Sequence, residues 1–442
     1  MKLSELRSKI ESRDAVLGVV GLGYVGLPVS CAFAEAGFRV VGIDINTSRV
    51  DSIRSGRSPI DGQEPGLPEL LTKVVREGRL TAADDYAKLS DADVVLIAVE
   101  TPVASDHKPR YEALASASRA VGGVLKQGAL VIVESTVAPG TMEQLVRPLL
   151  ETATGGKANQ DFFLGHCPER VMPGRMLANL RHVGRVCGGM SQETAEVMVT
   201  LYRSIVDAEL DPSDCLTAEL VKTVENAYRD VNIAFANEVA LVCEELGADV
   251  WTVRDLVNKS PGRDMLLPGA GVGGHCIPKD SWLLIANANG LDAKLVTAAR
   301  AVNDAMPLHV AHLVEDALMR ADRRVADGKV ALLGYSYLGN TGDTRNSPSI
   351  PLVEQLRSQG ADVRIHDPHV PEYSSSSLAE AIRGADCIVL MVAHDEYRDL
   401  DWPMLRQLVR TPLVVDGRNI AGDCSPSSAG FTYVGLGRSA PR

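Results

Sequence analysis

A glycine pattern near the start of the chain constrains the fold more than any other feature of the sequence. Gly21, Gly23 and Gly26 follow the apolar run 15–20 and precede a stretch with helical spacing. In a strand–turn–helix unit, such glycines form a tight turn and let the backbone approach a pyrophosphate at the helix N-terminus. Asp44 ends the next apolar run, where an acidic residue accepts from a ribose 2′-hydroxyl and repels a 2′-phosphate. The pattern therefore predicts NAD rather than NADP, and a purely structural glycine turn is the alternative.

Apolar runs alternate with helical patterns at both ends of the chain, which indicates two parallel sheets. The predicted strands are 15–20, 39–43, 94–99, 130–134 and 162–165, then 330–333, 363–366, 387–392 and 412–415. The predicted helices of the middle region are 218–246, 251–257, a helix opening at Pro278, 295–306 and 308–319. The predicted fold class is α/β, with two Rossmann-like doubly wound domains joined by a helical central domain that contains a long helix.

The charge of the chain argues against nucleic acid or an anionic membrane as a main partner. The formal net charge is −12, whereas both partners select for basic surfaces. The apolar runs are too short to span a bilayer, and residues 1–14 are charged without an apolar core, so we expect a cytoplasmic protein. The 8 cysteines are scattered without a C-x-x-C pair. We therefore predict no metal site and no disulfide framework.

One cysteine lies in a segment suited to chemistry. Residues 269–280 read Gly-Ala-Gly-Val-Gly-Gly-His-Cys-Ile-Pro-Lys-Asp, which places Cys276 among glycines that let a ligand approach the backbone. A helix that opens at Pro278 would lower the pKa of the thiol, and Lys279 would add to this effect. Asp280 is close enough in sequence to orient or deprotonate a water. A thiol of this kind can hold an aldehyde covalently, and an inert buried thiol is the alternative.

Polar residues on the long predicted helix share one face. Lys222, Asn226 and Arg229 recur at helical spacing among apolar neighbours. A lysine and an asparagine in such surroundings supply donors for an oxyanion, and a solvated stripe is the equal alternative.

Further candidates follow predicted strands, whose carboxyl ends face the cofactor crevice in folds of this kind. Thr136 comes directly after the run 130–134, and Thr101 after the run 94–99. Glu169 and Arg170 follow the run 162–165. Each is a candidate for contact with the substrate or the nicotinamide, and a capped turn is the alternative at each position.

Taken together, these motifs resemble the UDP-glucose/GDP-mannose dehydrogenase family. The motifs are Gly-Leu-Gly-Tyr-Val-Gly-Leu-Pro at 21–28, Glu-Ser-Thr-Val-Ala-Pro-Gly at 134–140, Pro-Glu-Arg at 168–170 and Gly-Gly-His-Cys-Ile-Pro-Lys-Asp at 273–280. The resemblance implies a two-fold oxidation at C6 of a UDP-sugar with NAD, and a homodimer built around the long helix. It implies an NAD-binding Rossmann domain at 1–210, a central helical dimerisation domain with the catalytic cysteine at 211–307, and a C-terminal UDP-sugar-binding Rossmann-like domain at 308–442.

The resemblance also implies residue roles. Cys276 would attack the aldehyde to form a thiohemiacetal. A second hydride transfer would convert it to a thioester, which water would then hydrolyse. The other implied catalytic residues are Lys222 and Asn226 for the oxyanions, Asp280 for the water, and Thr136 with Glu169 for the first proton removal. The implied cofactor-binding residues are Gly21, Gly23, Tyr24, Val25, Gly26, Asp44, Arg49, Thr101, Thr136, Lys279 and Arg345. The implied substrate-binding residues are Glu169, Arg170, Lys222, Asn226, Arg229, Arg263, Gly273 and Arg418.

Within the family, the segment 225–238 and His275 resemble the UDP-N-acetylhexosamine branch. Pro173 stands where UDP-glucose enzymes carry a second glutamate, and Leu338 replaces a lysine that is common in the family. We therefore expect UDP-N-acetyl-D-mannosamine as the substrate, with UDP-N-acetyl-D-glucosamine a close second. The alternatives are a UDP-glucose 6-dehydrogenase, a single-step NAD alcohol or hydroxyacid dehydrogenase, and a nucleotide-sugar sensor without catalysis.

Overall fold

The computed structural model describes residues 2–60, 64–170, 174–421 and 426–438, so Pro173 lies outside the described residues. The chain divides into two compact units. The first unit contains Met1–Glu225 with Trp282–Leu291, and the second contains Asn226–Ser281 with Asp292–Arg442.

The first unit is built on an eight-stranded sheet. Its strands are β1 (Val16–Val20), β2 (Arg39–Ile43), β3 (Leu80–Ala83), β4 (Val94–Ile97), β5 (Leu130–Val133), β6 (Phe163–His166), β7 (Arg185–Gly189) and β8 (Leu210–Asp214). Their order is β3-β2-β1-β4-β5-β6-β7-β8, and every neighbouring pair is parallel except β6 and β7. The central strands are short runs of buried apolar residues, as expected where both faces of a parallel sheet are covered.

Helices flank this sheet. They are α1 (Leu3–Glu11), α2 (Gly26–Glu35), α3 (Thr47–Arg54), α4 (Leu67–Arg76), α5 (Glu112–Gly122), α6 (Arg147–Thr154), α7 (Met176–His182) and α8 (Gln192–Tyr202). The long helix α9 (Cys215–Leu246) continues from the first unit into the second. Its sequence contains neither glycine nor proline, which explains why it runs unbroken.

The second unit contains a five-stranded parallel sheet in the order β10-β9-β11-β12-β13. The strands are β9 (Lys329–Leu333), β10 (Asp362–His366), β11 (Cys387–Leu390), β12 (Leu413–Asp416) and β13 (Thr432–Gly435). The remaining helices are α10 (Val250–Val257), α11 (Ile277–Ala286), α12 (Lys294–Arg320), α13 (Ser349–Ser358), α14 (Leu378–Ile382) and α15 (Trp402–Leu408). The predicted α/β class, with two Rossmann-like sheets and a helical middle region, is confirmed.

Two details of the helical prediction are wrong. The segments 295–306 and 308–319 form one helix, α12, which contains Pro307. Proline removes one backbone donor, but buried apolar residues on both sides of it, such as Met306 and Val310, keep the segment in one helix. Helix α11 begins at Ile277, so Pro278 is its second residue rather than its first. Among the described helices, none combines the length and the apolar content needed to cross a bilayer.

Candidate functional site

The glycine turn between β1 and α2 has the geometry of a phosphate cradle. Gly21 has a φ of 89°, a conformation that favours glycine, and its N–H donates to the Ile43 carbonyl at 2.8 Å. A Cβ on Gly26 would lie 1.8 Å from the Gly21 oxygen, so the first turn of α2 can pack here only as glycine. A Cβ on Gly23 would face open space, and Tyr24 and Val25 beside it are half-buried. The backbone is therefore open to a pyrophosphate at the start of α2.

The carboxylate of Asp44 is fixed at the carboxyl end of β2. It is buried, and its oxygens accept from the N–H groups of Leu22 at 2.8 Å and Asn46 at 2.9 Å. Arg49 donates to it at 3.0 Å, so this cation is directed at the carboxylate. Bonds from the glycine turn hold Asp44 beside the cradle, where a ribose follows a bound pyrophosphate. The residues present therefore fit NAD.

The loops after β4 and β5 are tied together. The hydroxyl of Thr101 donates to the Thr136 carbonyl at 2.7 Å, and the hydroxyl of Ser135 donates to the Val99 carbonyl. Thr101 is buried, whereas Thr136 is half-buried. Thr101 therefore supports the loop, and Thr136 is the more accessible of the two at the carboxyl edge of the sheet.

A glutamate that sequence reasoning missed fixes the same loop to α9. The carboxylate of Glu219 accepts from the N–H groups of Gly140 at 2.6 Å and Met142 at 2.8 Å. Burial raises the pKa of Glu219 to about 7, against the lowering effect of these backbone bonds. Lys222 is buried on the next turn of α9. Glu219 therefore holds the loop of Thr136 to the helical segment that carries Lys222.

The candidate Glu169 lies in a buried ion pair. Its Oε2 accepts from the guanidinium of Arg185, and its Oε1 accepts from the N–H of Arg170. Arg170 in turn contacts the carboxylate of Glu225 at 3.1 Å. Sequence reasoning missed Arg185, which stands on β7 far from Glu169 along the chain.

In the second unit, Cys276 stands at the beginning of α11. Its side chain is exposed, and its carbonyl accepts from the N–H groups of Lys279 at 3.1 Å and Asp280 at 2.9 Å. Cys276 is therefore the N-cap residue of α11, where the partial positive charge of the helix N-terminus favours an anionic group. Burial lowers the pKa of the neighbouring His275 to about 4, so this ring is neutral near pH 7.

Asp280, Asn226 and Lys279 are brought together. The amide of Asn226 donates to the Oδ2 atom of Asp280. The ammonium group of Lys279 lies 3.4 Å from Oδ1 of the same carboxylate. Asp280 is buried, whereas the predicted substrate-binding residues Arg229 and Arg263 are exposed. Solvent exposure thus increases along the predicted shared face, from buried Lys222 through Asn226 to exposed Arg229.

The cysteine loop, residues 269–276, is held from several sides within the second unit. A Cβ on Gly273 or Gly274 would lie 2.6 or 2.7 Å from atoms of Tyr337, so these glycines make room for a side chain of the protein itself. Gly274 exchanges hydrogen bonds with the segment 345–346, at 2.9 and 3.0 Å. Arg418 donates to the Gly271 carbonyl at 3.1 Å. Gly273 and Arg418 therefore support the loop, and Arg345, which pairs with Asp343, is exposed beside it.

Three family models match successive parts of the chain. Residues 15–206 match the NAD binding domain of the UDP-glucose/GDP-mannose dehydrogenase family, residues 216–305 its central domain and residues 331–423 its UDP binding domain. The chain belongs to the UDP-glucose/GDP-mannose dehydrogenase family. It is an NAD-dependent nucleotide-sugar dehydrogenase, an oxidoreductase whose second sheet belongs to a UDP-binding domain.

Relatives of this dehydrogenase cover almost its whole length. It is 40% identical over 422 residues to the UDP-N-acetyl-D-mannosamine dehydrogenase of Pyrococcus horikoshii, covering 96% of this chain and 99% of that one. It is 38% identical over 418 residues to the NDP-N-acetyl-D-galactosaminuronic acid dehydrogenase of Ralstonia nicotianae, covering 91% and 96%. The solved structure of the Pyrococcus horikoshii enzyme matches with a TM-score of 0.92 over 96% of this chain and 100% of that one, at 40% identity.

One group among the described residues of the dehydrogenase has the spacing of a metal site. It consists of His369, His394 and Glu396 in the second unit. Nδ1 of His394 accepts from the N–H of Asn340 at 2.8 Å, and its Nε2 lies 3.1 Å from the carboxylate of Asp367. Both ring nitrogens of His394 are therefore already engaged, and the group does not fit a metal ion. The absence of a metal site elsewhere remains a prediction.

Proposed function

We propose that this dehydrogenase oxidises C6 of UDP-N-acetyl-D-mannosamine to the uronate in two NAD-dependent steps. The observation that carries the proposal is the position of Cys276, exposed at the N-terminus of α11 with Asp280 and Asn226 in contact one turn further on. A thiol in this position suits an enzyme that must hold an aldehyde between two oxidations.

In this proposal the sulfur of Cys276 adds to the aldehyde carbon and forms a thiohemiacetal. The carbonyl oxygen becomes an oxyanion, to which Lys222 and Asn226 donate hydrogen bonds. NAD, held at the glycine turn and Asp44, supplies the hydride acceptor for both oxidations. Water then attacks the resulting thioester, with Asp280 accepting the proton of that water, and the thiol is restored as the uronate leaves.

The first oxidation requires loss of the C6 hydroxyl proton. We assign Thr136 and Glu169 to this step, acting through a water. Thr136 stands at the carboxyl edge of the NAD-binding sheet, half-buried on a loop fixed by Thr101. Glu169 follows β6, which β4 and β5 separate from the strand before the glycine turn, at the same carboxyl edge of the sheet.

The division of labour along the chain follows the proposed boundaries, with NAD at 1–210, Cys276 in 211–307 and the UDP-sugar at 308–442. We keep Tyr24, Val25, Arg49, Lys279 and Arg345 as proposed contacts of NAD. We keep Arg170, Arg229, Arg263, Gly273 and Arg418 as proposed contacts of the sugar nucleotide. A cytoplasmic location also stays a prediction.

The choice of sugar is supported by the relatives, which are named for N-acetylated sugars, mannosamine in one case and galactosaminuronic acid in another. UDP-N-acetyl-D-glucosamine differs from the mannosamine sugar only at C2, so it remains the second candidate.

A substrate panel tests the proposed function. We expect UDP-N-acetyl-D-mannosamine to give the highest kcat/KM among UDP-glucose, UDP-N-acetyl-D-glucosamine, UDP-N-acetyl-D-galactosamine and GDP-mannose. With NAD in excess and the sugar limiting, NADH absorbance should show two NADH per sugar, because the aldehyde stays on the enzyme. One NADH per sugar would identify a single-step dehydrogenase, and saturable binding without NADH would identify a sensor.

We further propose a homodimer that forms along α9. One face of this helix exposes large apolar residues within a single stripe: Leu216, Leu220, Val224, Tyr228, Phe235, Val242 and Leu246. A continuous apolar stripe of this kind is typical of a protein–protein contact.

Replacing Phe235 with glutamate should break the dimer, because a carboxylate would lose its hydration at the centre of the apolar contact. Light scattering coupled to gel filtration should give twice 47.2 kDa for the wild type and 47.2 kDa for the variant. Met404→Glu, an equally drastic change at an exposed position on α15, should leave the mass unchanged. A wild-type monomer would contradict the proposal.

A further inference from the structure

A buried cluster of charged residues lies beside Glu169 in the first unit. It consists of Glu134, Glu169 and Arg185, with Tyr202 against them, and we call it the Arg185 cluster. Glu134 and Arg185 are each 1% exposed and Glu169 is 7% exposed. Glu134 directly follows β5, Arg185 begins β7 and Tyr202 ends α8. Because Glu169 follows β6, four separate elements bring two carboxylates, one guanidinium and one phenol together in the buried interior.

The contacts of Arg185 are unequal. Its Nη2 atom donates to Oε2 of Glu169, whereas its Nη1 atom lies 3.6 Å from Oε1 of Glu134, beyond hydrogen-bonding distance. Oε1 of Glu134 accepts from the hydroxyl of Tyr202, and its Oε2 is buried without a hydrogen-bond partner among the described residues. Arg185 therefore forms a hydrogen-bonded ion pair with Glu169, whereas it only approaches Glu134.

This asymmetry matches a cluster that holds one proton. With both carboxylates ionised, the Arg185 cluster would carry a net negative charge away from water, which is costly. Burial raises the pKa of Glu134 to about 7; Arg185 and the Tyr202 hydroxyl oppose this rise, and Glu169 adds to it. Burial raises the pKa of Tyr202, and a bond from Cys167 raises that of Cys187, so Tyr202 and Cys187 stay neutral. Glu134 is thus the site where the proton is gained or lost.

We propose that Arg185 is a positioning residue that orients Glu169, and that the charge on Glu134 sets how firmly it does so. While Glu134 carries its proton, the guanidinium is attracted to Glu169 alone. Once Glu134 ionises, the same cation is shared between two carboxylates and its bond to Glu169 weakens. The inference depends on the proposed role of Glu169 in proton removal. Arg185 and Glu134 act through Glu169 and do not contact the substrate.

The main test compares kcat of the wild type with that of Glu134→Gln across neutral pH. Glutamine keeps the shape of the neutral acid and cannot ionise. The ratio of wild-type to variant kcat should fall about tenfold as the pH rises through 7, because Glu134 ionises only in the wild type. Misplacement of a reacting group can cost up to about 10²-fold in rate. The ratio removes the titration of groups that both proteins share. A ratio that is constant with pH would overturn the proposal.

Three further variants test the source of the transition and the role of Arg185. Tyr202→Phe removes the hydroxyl that stabilises ionised Glu134, so the transition should move to higher pH. Glu193→Gln, an exposed change on the same helix α8, should leave the transition where it is. Arg185→Lys should lower kcat by on the order of 10²-fold while KM for NAD stays within about twofold, because lysine lacks the fork that binds Glu169. A transition that Tyr202→Phe leaves in place would count against Glu134 as its source.

Stability gives a readout that does not require turnover. The folded-state pKa of Glu134 is raised, so the native state binds its proton more tightly than the unfolded chain does. The melting temperature of the wild type should therefore fall relative to Glu134→Gln as the pH rises from 4.5 to about 7. If the proposed function fails, the panel yields either no NADH or only one NADH per sugar, yet this shift in melting temperature should still appear. If NADH forms but neither the shift nor the change in ratio appears, only the inference fails.

Discussion

Cys276→Ser should abolish uronate formation, with kcat for the complete reaction lowered by on the order of 10³-fold or more. A serine hydroxyl is a much weaker nucleophile than a thiolate, and the partial charge at the start of α11 helps a thiol far more than a hydroxyl. The aldehyde from the first oxidation would then leave the enzyme unprotected. We expect at most one NADH per sugar, together with free aldehyde that a carbonyl reagent can trap.

Cys243→Ala is the matched control for this prediction. Cys243 is a buried cysteine on α9, packed in the core of the second unit. Its loss should lower stability modestly and leave two NADH per sugar. Full conversion to the uronate by Cys276→Ser at the wild-type rate would exclude a covalent role for Cys276.

Arg300→Ala should destabilise the second unit by about 3–5 kcal/mol, the cost of breaking a buried ion pair and leaving one charge behind. Arg300 on α12 donates to Asp230 on α9 at 2.7 Å, and both side chains are almost fully buried. Asp230 also accepts from the hydroxyl of Ser281 at 2.8 Å and from the amide of Asn303 at 2.7 Å. The Asp230 carboxylate left without its cation would still contact Ser281 on α11, the helix that begins directly after Cys276.

Urea unfolding followed by tryptophan fluorescence measures this loss, because Trp251 and Trp402 both belong to the second unit. Arg320→Ala removes an exposed arginine from the same helix and should change the free energy of unfolding by less than about 0.5 kcal/mol. If Arg300→Ala were as stable as Arg320→Ala, the pair with Asp230 would contribute little to the fold.

The strands were predictable where the sequence carries a short run of β-branched and aliphatic residues, as at 94–97 and 130–133. Strand β8 escaped prediction because Leu-Asp-Pro-Ser-Asp looks like a loop. It forms at the edge of the sheet, where a proline is tolerated. Continuity of α12 through Pro307 was equally hidden, since local sequence does not reveal packing on both sides of a proline.

The candidate site also contains residues that the sequence predicts and residues that only the fold reveals. Asp44 and Cys276 are marked by motifs of fixed spacing, and the structure gives each the local setting that the motif predicts. Arg185 and Glu219 carry no such mark. Arg185 pairs with Glu169, 16 residues away, and Glu219 accepts from Gly140, 79 residues away. Only the folded chain brings such partners together.

Two glycines of the cysteine loop have a structural task that the sequence did not predict. At 273 and 274 they admit the ring of Tyr337 and receive support from 345 and 346, all in the segment between β9 and α13. The shape of the loop that carries Cys276 therefore depends on a stretch of chain that belongs to the UDP binding domain. A chimaera that takes the segment between β9 and α13 from a distant relative should also take the cysteine loop from that relative, because the two segments pack against each other.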